Sequence, residues 1–290
     1  MGLKFAKRNN LLGNIVDFYI PNSQCENGIC VGATDLCKKY CYGNGVFRHS
    51  EDPRKKMLNT EAIARENYRI TKTDSFEEEM NSLIEKTLNL TRLRIHSIGD
   101  FYDYEYFLKW MRVIEKNPSI QFTAYVKNFD VLIDYKNDNG VVYDNFNVLL
   151  SVYPDTYDKY ENEGGKDYID SLFADLELYY RAKKYVVCSR EYFRQEIKKH
   201  NGSKFFCNGG TEMLLGWDKS LKNQNFSELF TPGEPCYKCL KCYSTEKCPA
   251  GSSIYAVLRA SSKLADIQGV LKRSDEGQYK ILKSLYPKEI

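Results

Sequence analysis

The apolar positions of the chain recur with two alternating periods. Residues 14–20, Asn-Ile-Val-Asp-Phe-Tyr-Ile, are β-branched and aromatic and stop at Pro21, which is the pattern of a strand. Residues 52–72 set Met57, Leu58, Ala62, Ala64 and Ile70 among charges, with Pro53 near the first turn, and predict a helix. Phe76, Met80, Leu83, Ile84 and Leu88 predict a second helix, and Ser75 with Glu78 predicts a capping box at its start. Residues 91–97 alternate Leu93, Ile95 and Ser97 against Arg92, Arg94 and His96, so they read as a strand. Tyr104, Phe107, Leu108, Met111 and Ile114 then form a helical stripe, with Asp103 as its N-cap and Pro118 beyond its end. Further strand patterns lie at 121–127, 146–152 and 185–188, and helical patterns at 171–184, from 189 to His200, and at 253–272. Residues 155–166 are polar and glycine-containing and read as a surface loop.

Strand and helix alternating at such intervals predict an α/β fold with a parallel sheet, because parallel neighbours need crossover connections. The sheet is either open or curled into a partial (β/α) barrel. Ligand sites in such folds gather at the carboxyl ends of the strands. The candidates there are Ser97, Gly99 and Asp100, then Lys127 and Asn128, then Ser151 and Tyr153, then Ser189 and Arg190. Gly99-Asp100 also suits an ordinary turn and helix cap. His96 reads as packed or solvated, and His200 as a helix-closing cation.

Composition narrows the setting. With 290 residues and 42% hydrophobic positions the chain can bury a sizeable core, and a net charge of +3 does not by itself argue for a nucleic-acid partner. The basic residues of 253–272, Arg259 and Lys263 among them, suit a solvated helix side better than a nucleic-acid face. The 23 tyrosines suit amphipathic packing at the edge of a core. The basic start, Met-Gly-Leu-Lys-Phe-Ala-Lys-Arg, runs into Asn9, Asn10, Gly13 and Asn14 rather than an apolar signal region, and no apolar run approaches the ~20 residues of a membrane span. A cytoplasmic protein without a membrane partner is expected. In a reducing cytosol ten cysteines read as metal ligands or catalytic thiols before disulfides.

The cysteines fall into two groups. Cys30, Cys37 and Cys41 are separated by six and three residues, with Lys38, Lys39 and Arg48 nearby to favour thiolates. Three thiolates can hold a 4Fe-4S cluster with one iron left open, whereas structural zinc closes four positions. Cys25 reads as an unligated thiol and His49 as a solvated side chain. The second group, Cys236, Cys239, Cys242 and Cys248, has gaps of two, two and five and its last cysteine precedes Pro249, close to a ferredoxin run. It predicts a second iron-sulfur cluster, with zinc as the alternative metal. Thr231-Pro-Gly-Glu-Pro235 marks a border between an α/β core, residues 1–230, and a small cysteine-rich metal-binding segment with a terminal helix, residues 231–290.

The order Cys-x6-Cys-x3-Cys-Tyr, Ser-x-Gly-Asp-Phe-Tyr and the late cysteine group resembles the gene product 88 family of phage and mobile-element proteins. The three-cysteine loop after the first strand also resembles the core of radical S-adenosylmethionine (SAM) enzymes. That second resemblance implies a cluster on Cys30, Cys37 and Cys41, and SAM bound near Ser97, Gly99, Asp100, Lys127 and Ser151. It further implies an external electron donor and an auxiliary cluster on the late cysteines, with the substrate unspecified. The spacing departs from the radical SAM pattern: Cys37 and Cys41 match it, position 44 is Asn, and Cys30 supplies the third thiolate from upstream. The first resemblance supports an alternative, a non-catalytic metal-stabilised protein that binds a host protein or nucleic acid in the cytoplasm of a bacterial host.

Overall fold

A computed structural model describes residues 2–6, 15–22, 29–39, 41, 54–153, 155–188, 205–206 and 253–257. Its elements in order are β1 (Ile15–Asp17), α1 (Asp35–Lys39), α2 (Arg54–Thr71), α3 (Phe76–Glu85), β2 (Arg92–Ile95) and α4 (Tyr104–Lys116). They continue with β3 (Gln121–Val126), α5 (Asp130–Asn137), β4 (Phe146–Val152), α6 (Thr156–Lys159), a 3-10 turn (Glu161–Glu163) and α7 (Gly165–Tyr180). β5 (Lys183–Cys188), β6 (Phe205–Phe206) and β7 (Ser253–Val257) complete the set. The strands form one sheet in the order β1-β2-β3-β4-β5-β7-β6, and every neighbouring pair is parallel. The α/β expectation with a parallel sheet is therefore met.

One face of the sheet makes the core. Val16, Leu93, Ile95, Phe122, Ala124, Val126, Phe146, Val148, Leu150 and Val152 join a single buried cluster with Phe76 and Met80 of α3, Phe107 and Trp110 of α4, Leu132 of α5 and Phe173 of α7. Trp110 sits edge-on to Phe18 at 5.3 Å and to Phe76 at 5.4 Å, so truncating it to Ala removes roughly 3–5 kcal/mol. The other face is polar: the ladder registers place Asp17, Arg92, Arg94, Gln121, Thr123, Asn147, Ser151 and Lys183 on it. Its apolar members Ile15, Leu149 and Val187 are buried but lie outside the helical core cluster.

Local chemistry explains the boundaries, including three that differ from the expectation. Asp103 caps α4 as expected, its side chain accepting the Tyr106 N–H at 2.8 Å. The Ser75 capping box does not form; the Ser75 hydroxyl donates instead to Glu79 at 2.9 Å. Residues 155–166 are not a plain loop, because α6 and the 3-10 turn occupy them and the left-handed Gly164 (φ 116°) starts α7 six residues before the expected helix start at 171. Residues 253–257 form a strand rather than the start of a helix. Ser-Ile-Tyr-Ala-Val suits both patterns, and pairing with β5, from Lys184↔Ser253 to Cys188↔Val257, decides between them. The rest of that helical pattern, 258–272, lies outside the described residues, as does the helix expected from 189 to His200.

Candidate metal centre

The thiol loop is mounted where β1 leaves the sheet. Beyond Asp17 the chain still ladders along the end of β2, with Phe18 N–H on Arg94 O at 3.0 Å, Ser97 N–H on Phe18 O at 2.9 Å and Ile20 N–H on Ile98 O at 3.1 Å. At 29–39 it runs across the ends of β3 and β4. Ala33 N–H closes a turn on Cys30 O at 3.0 Å, and the Thr34 hydroxyl accepts the Cys37 N–H at 3.3 Å at the head of α1. Asp155, beyond the end of β4, accepts the Leu36 N–H at 2.8 Å and ties α1 to the sheet. A Cβ on Gly32 would lie 2.2 Å from the Lys127 carbonyl and the Asn128 nitrogen, so only glycine lets the loop backbone rest on the end of β3.

That docking gathers the first cysteine group. Cys30 and Cys37 are buried beside Ala33, with Tyr153 packed on them; Cys41 is partly exposed, and all three are free thiols. Lys127, the residue after β3, interacts with all three. Burial pushes Cys30 up to about 12 and Cys37 up to about 11, with Lys127 pulling both down. A hydrogen bond with Tyr153 also lowers Cys37. Burial disfavours the charge on Lys127, yet Cys37, Asp100, Cys30 and Cys41 together hold its pKa above the usual lysine value. Lys127 and Tyr153 are packed round by protein and still keep some accessible surface. The Asn22 amide donates to Cys41 Sγ at 3.7 Å.

Of the expected strand-end residues, Asp100 and Lys127 meet the thiols. Asp100 is fully buried, and it accepts the backbone N–H groups of Phe101 at 2.9 Å and of Lys127 and Asn128 at 3.0 Å each. Burial raises its pKa, opposed by Lys127 and those three donors. Gly99 takes φ 98°, and a Cβ there would meet Ile20 Cγ1 at 2.3 Å. Ser97 is partly exposed in the turn after β2, and Ser151 is buried on the polar face opposite Tyr185. His96 is packed: it is buried, and its Nε2 bonds the Tyr106 hydroxyl at 2.8 Å. Sequence spacing did not single out Gly32, Thr34, Asp155 or Asn22. Only the fold brings them to the thiols, and no local pattern marks them. Cys25, Cys207, Cys236, Cys239, Cys242, Cys248, Ser189 and Arg190 lie outside the described residues.

Among the described residues no three His, Cys, Asp or Glu side chains converge as a single metal ion requires. Likewise no described helix is long and apolar enough to cross a membrane.

The family model for gene product 88 matches residues 4–227. The chain belongs to the gene product 88 family. The span shared with that family holds the thiol loop, Asp100 and Lys127, and it ends before Cys236. Among curated proteins the chain is similar to the Gene 88 protein of Mycobacterium phage L5, 28% identical over 153 residues, and to that of Mycobacterium phage D29, 27% identical over 154 residues. Each alignment takes in 50% of this chain and 62% of the relative, so the chain spans less than two thirds of the relatives' length. No solved structure matches.

Proposed function

We propose that this member of the gene product 88 family is an iron-sulfur protein whose first cluster is held by Cys30, Cys37 and Cys41. One observation carries the reading: three free thiols, two of them buried, share the carboxyl end of a parallel sheet with Lys127, which interacts electrostatically with each of them. Asp100 gives Lys127 one negative partner, and neutral thiols add none. Thiolates bound to iron would add further negative charge beside the lysine. The donor set suits a cluster better than zinc, since a zinc ion draws its sulfurs to ~2.3 Å from one point while a cube spreads them over separate irons. Each residue has a definite task. Lys127 offsets the negative charge, Tyr153 bonds Cys37, the Asn22 amide bonds Cys41, and Gly32 lets the loop reach β3.

The strand-end groups favour a catalytic setting over a purely structural one, because Asp100 and Lys127 at the carboxyl ends of β2 and β3 act on the thiols. When bound, a cluster with three protein ligands supplies one electron and an open iron that can chelate the amino and carboxylate groups of SAM. Asp100, with both oxygens committed to backbone donors, fixes the end of β3 and so holds Lys127 in place. The late group, Cys236, Cys239, Cys242 and Cys248, is assigned a second cluster on its spacing.

Anaerobic purification followed by iron and sulfide analysis and electron paramagnetic resonance tests the reading. Iron and sulfide that fall in C30A/C37A/C41A, with a spectrum perturbed by SAM, would support it. Stoichiometric zinc without iron would end it. An iron signal indifferent to SAM would leave the metal-stabilised binding protein as the surviving alternative.

A further inference from the structure

Where α5 ends, the chain carries Asn139-Gly140, the one Asn-Gly pair among the described residues. Asn139 is exposed, and its φ of 54° places it in the left-handed region just past the helix. Its N–H returns to Lys136 O and the Gly140 N–H to Tyr135 O, each at 2.9 Å, which is the paired ending of a Schellman motif. Two tyrosines close over the glycine. The Tyr179 hydroxyl, from α7, donates to Gly140 O, and the Tyr135 hydroxyl donates to Val141 O at 2.9 Å. A Cβ on Gly140 would stand 2.3 Å from the Tyr135 ring, so that ring rests directly on the glycine backbone.

An asparagine followed by glycine is open to a reaction that needs no enzyme. The glycine nitrogen, once its proton passes to hydroxide, attacks the asparagine Cγ. The N–Cγ bond forms, the side-chain amide leaves as ammonia, and water opens the resulting succinimide to aspartate or isoaspartate. Glycine has no Cβ to obstruct the attack, and solvent reaches the Asn139 side chain. The obstacle is the backbone. To reach Cγ, the Gly140 nitrogen must turn away from Tyr135 O, and the carbonyl that follows is tied to Tyr179. We infer that Asn139 is a modification site, deamidated by water and held back by Tyr135 and Tyr179 for as long as the last turn of α5 stays closed. Isoaspartate adds a backbone carbon between the two N–H groups that close the turn, so the Schellman pairing cannot be rebuilt afterwards. Deamidation is then a one-way record that the corner between α5 and α7 has opened.

The test incubates full-length protein at mildly alkaline pH and follows the peptide carrying Asn139 by mass spectrometry, with the same protein in urea as the reference. Asn139 should convert readily in urea and roughly tenfold more slowly, or slower still, in the folded protein, because hydrogen bonds of the turn must break first. Y179F removes one restraint and should speed conversion in the folded state about fivefold, the effect of one hydrogen bond. Equal rates with and without urea would overturn the inference. So would an Asn139 that survives in urea, or a folded Y179F that converts no faster than the parent. The comparison of folded and urea-treated parent decides the matter by itself if Y179F does not fold.

Discussion

The Asp100 carboxylate accepts the backbone N–H of Lys127 at 3.0 Å, so the turn after β2 holds the strand end whose lysine meets the thiols. Because Asn128 and Phe101 also donate to it, no oxygen of Asp100 is left idle. D100N would turn one acceptor into a donor facing donors. A loss of about 3 kcal/mol is expected, from a buried N–H left unpaired and a charge-assisted bond removed. Denaturant unfolding measures it, and a variant as stable as the parent would show that these contacts do not hold the strand end.

Lys127 should matter both to the fold and to the proposed metal centre. K127M keeps most of the side-chain volume but leaves Asp100 buried without its cation, so unfolding stability should fall as well. On the iron-sulfur reading proposed above, the cluster would also lose the cation that acts on all three of its thiols. Adding an electron becomes harder, and the reduction potential should fall on the order of 60 mV, a tenfold effect for one electron. Redox titration of the parent and K127M would show equal potentials if the ammonium is not facing the cluster.

Much of this architecture could be read from residue pattern. Period-2 and period-3.6 stretches located β2, β3, β4 and α4 because each has an apolar side turned to a common core. The thiol group was legible because its members are close in sequence. What pattern could not show are meetings between distant stretches. Gly32 against Lys127, and Asp155 against Leu36, exist only once the sheet has formed. Residues 253–257 misled for a related reason, since Ile254, Val257 and Leu258 also suit helical spacing and the deciding partner, β5, is far away in the chain. The polar face escaped notice because Arg92 and Arg94 alternate with Leu93 just as the solvent side of a strand does.

His96 predicts a pH dependence. Burial, helped by Lys127, holds its pKa well below the ordinary histidine value, so the folded protein binds a proton less readily than the unfolded chain. Its stabilising share is complete above the unfolded pKa of ~6.5, and it is lost as pH falls from there towards the depressed folded value, at up to about 1.4 kcal/mol per pH unit. H96F should flatten that slope between pH 6.5 and 5. An unchanged slope in urea midpoints across this window would assign the acid sensitivity to other groups.

Gly32 separates the fold from the centre most cleanly. It lies outside the main hydrophobic core, yet an added Cβ would stand 2.2 Å from backbone atoms of Lys127 and Asn128, which cannot rotate away as a side-chain tip could. The loop itself must retreat in G32A. Cys30, two residues before, and Cys37, on the helix that follows, would then shift relative to Lys127, while the Trp110 core and the ladder stay as they are. If the thiols hold the cluster proposed above, G32A is expected to unfold close to the parent midpoint and to lose most of its iron and sulfide after anaerobic reconstitution. Full iron loading of G32A would mean that the thiols need no contact with β3, and that the lysine beside them serves the sheet rather than the metal.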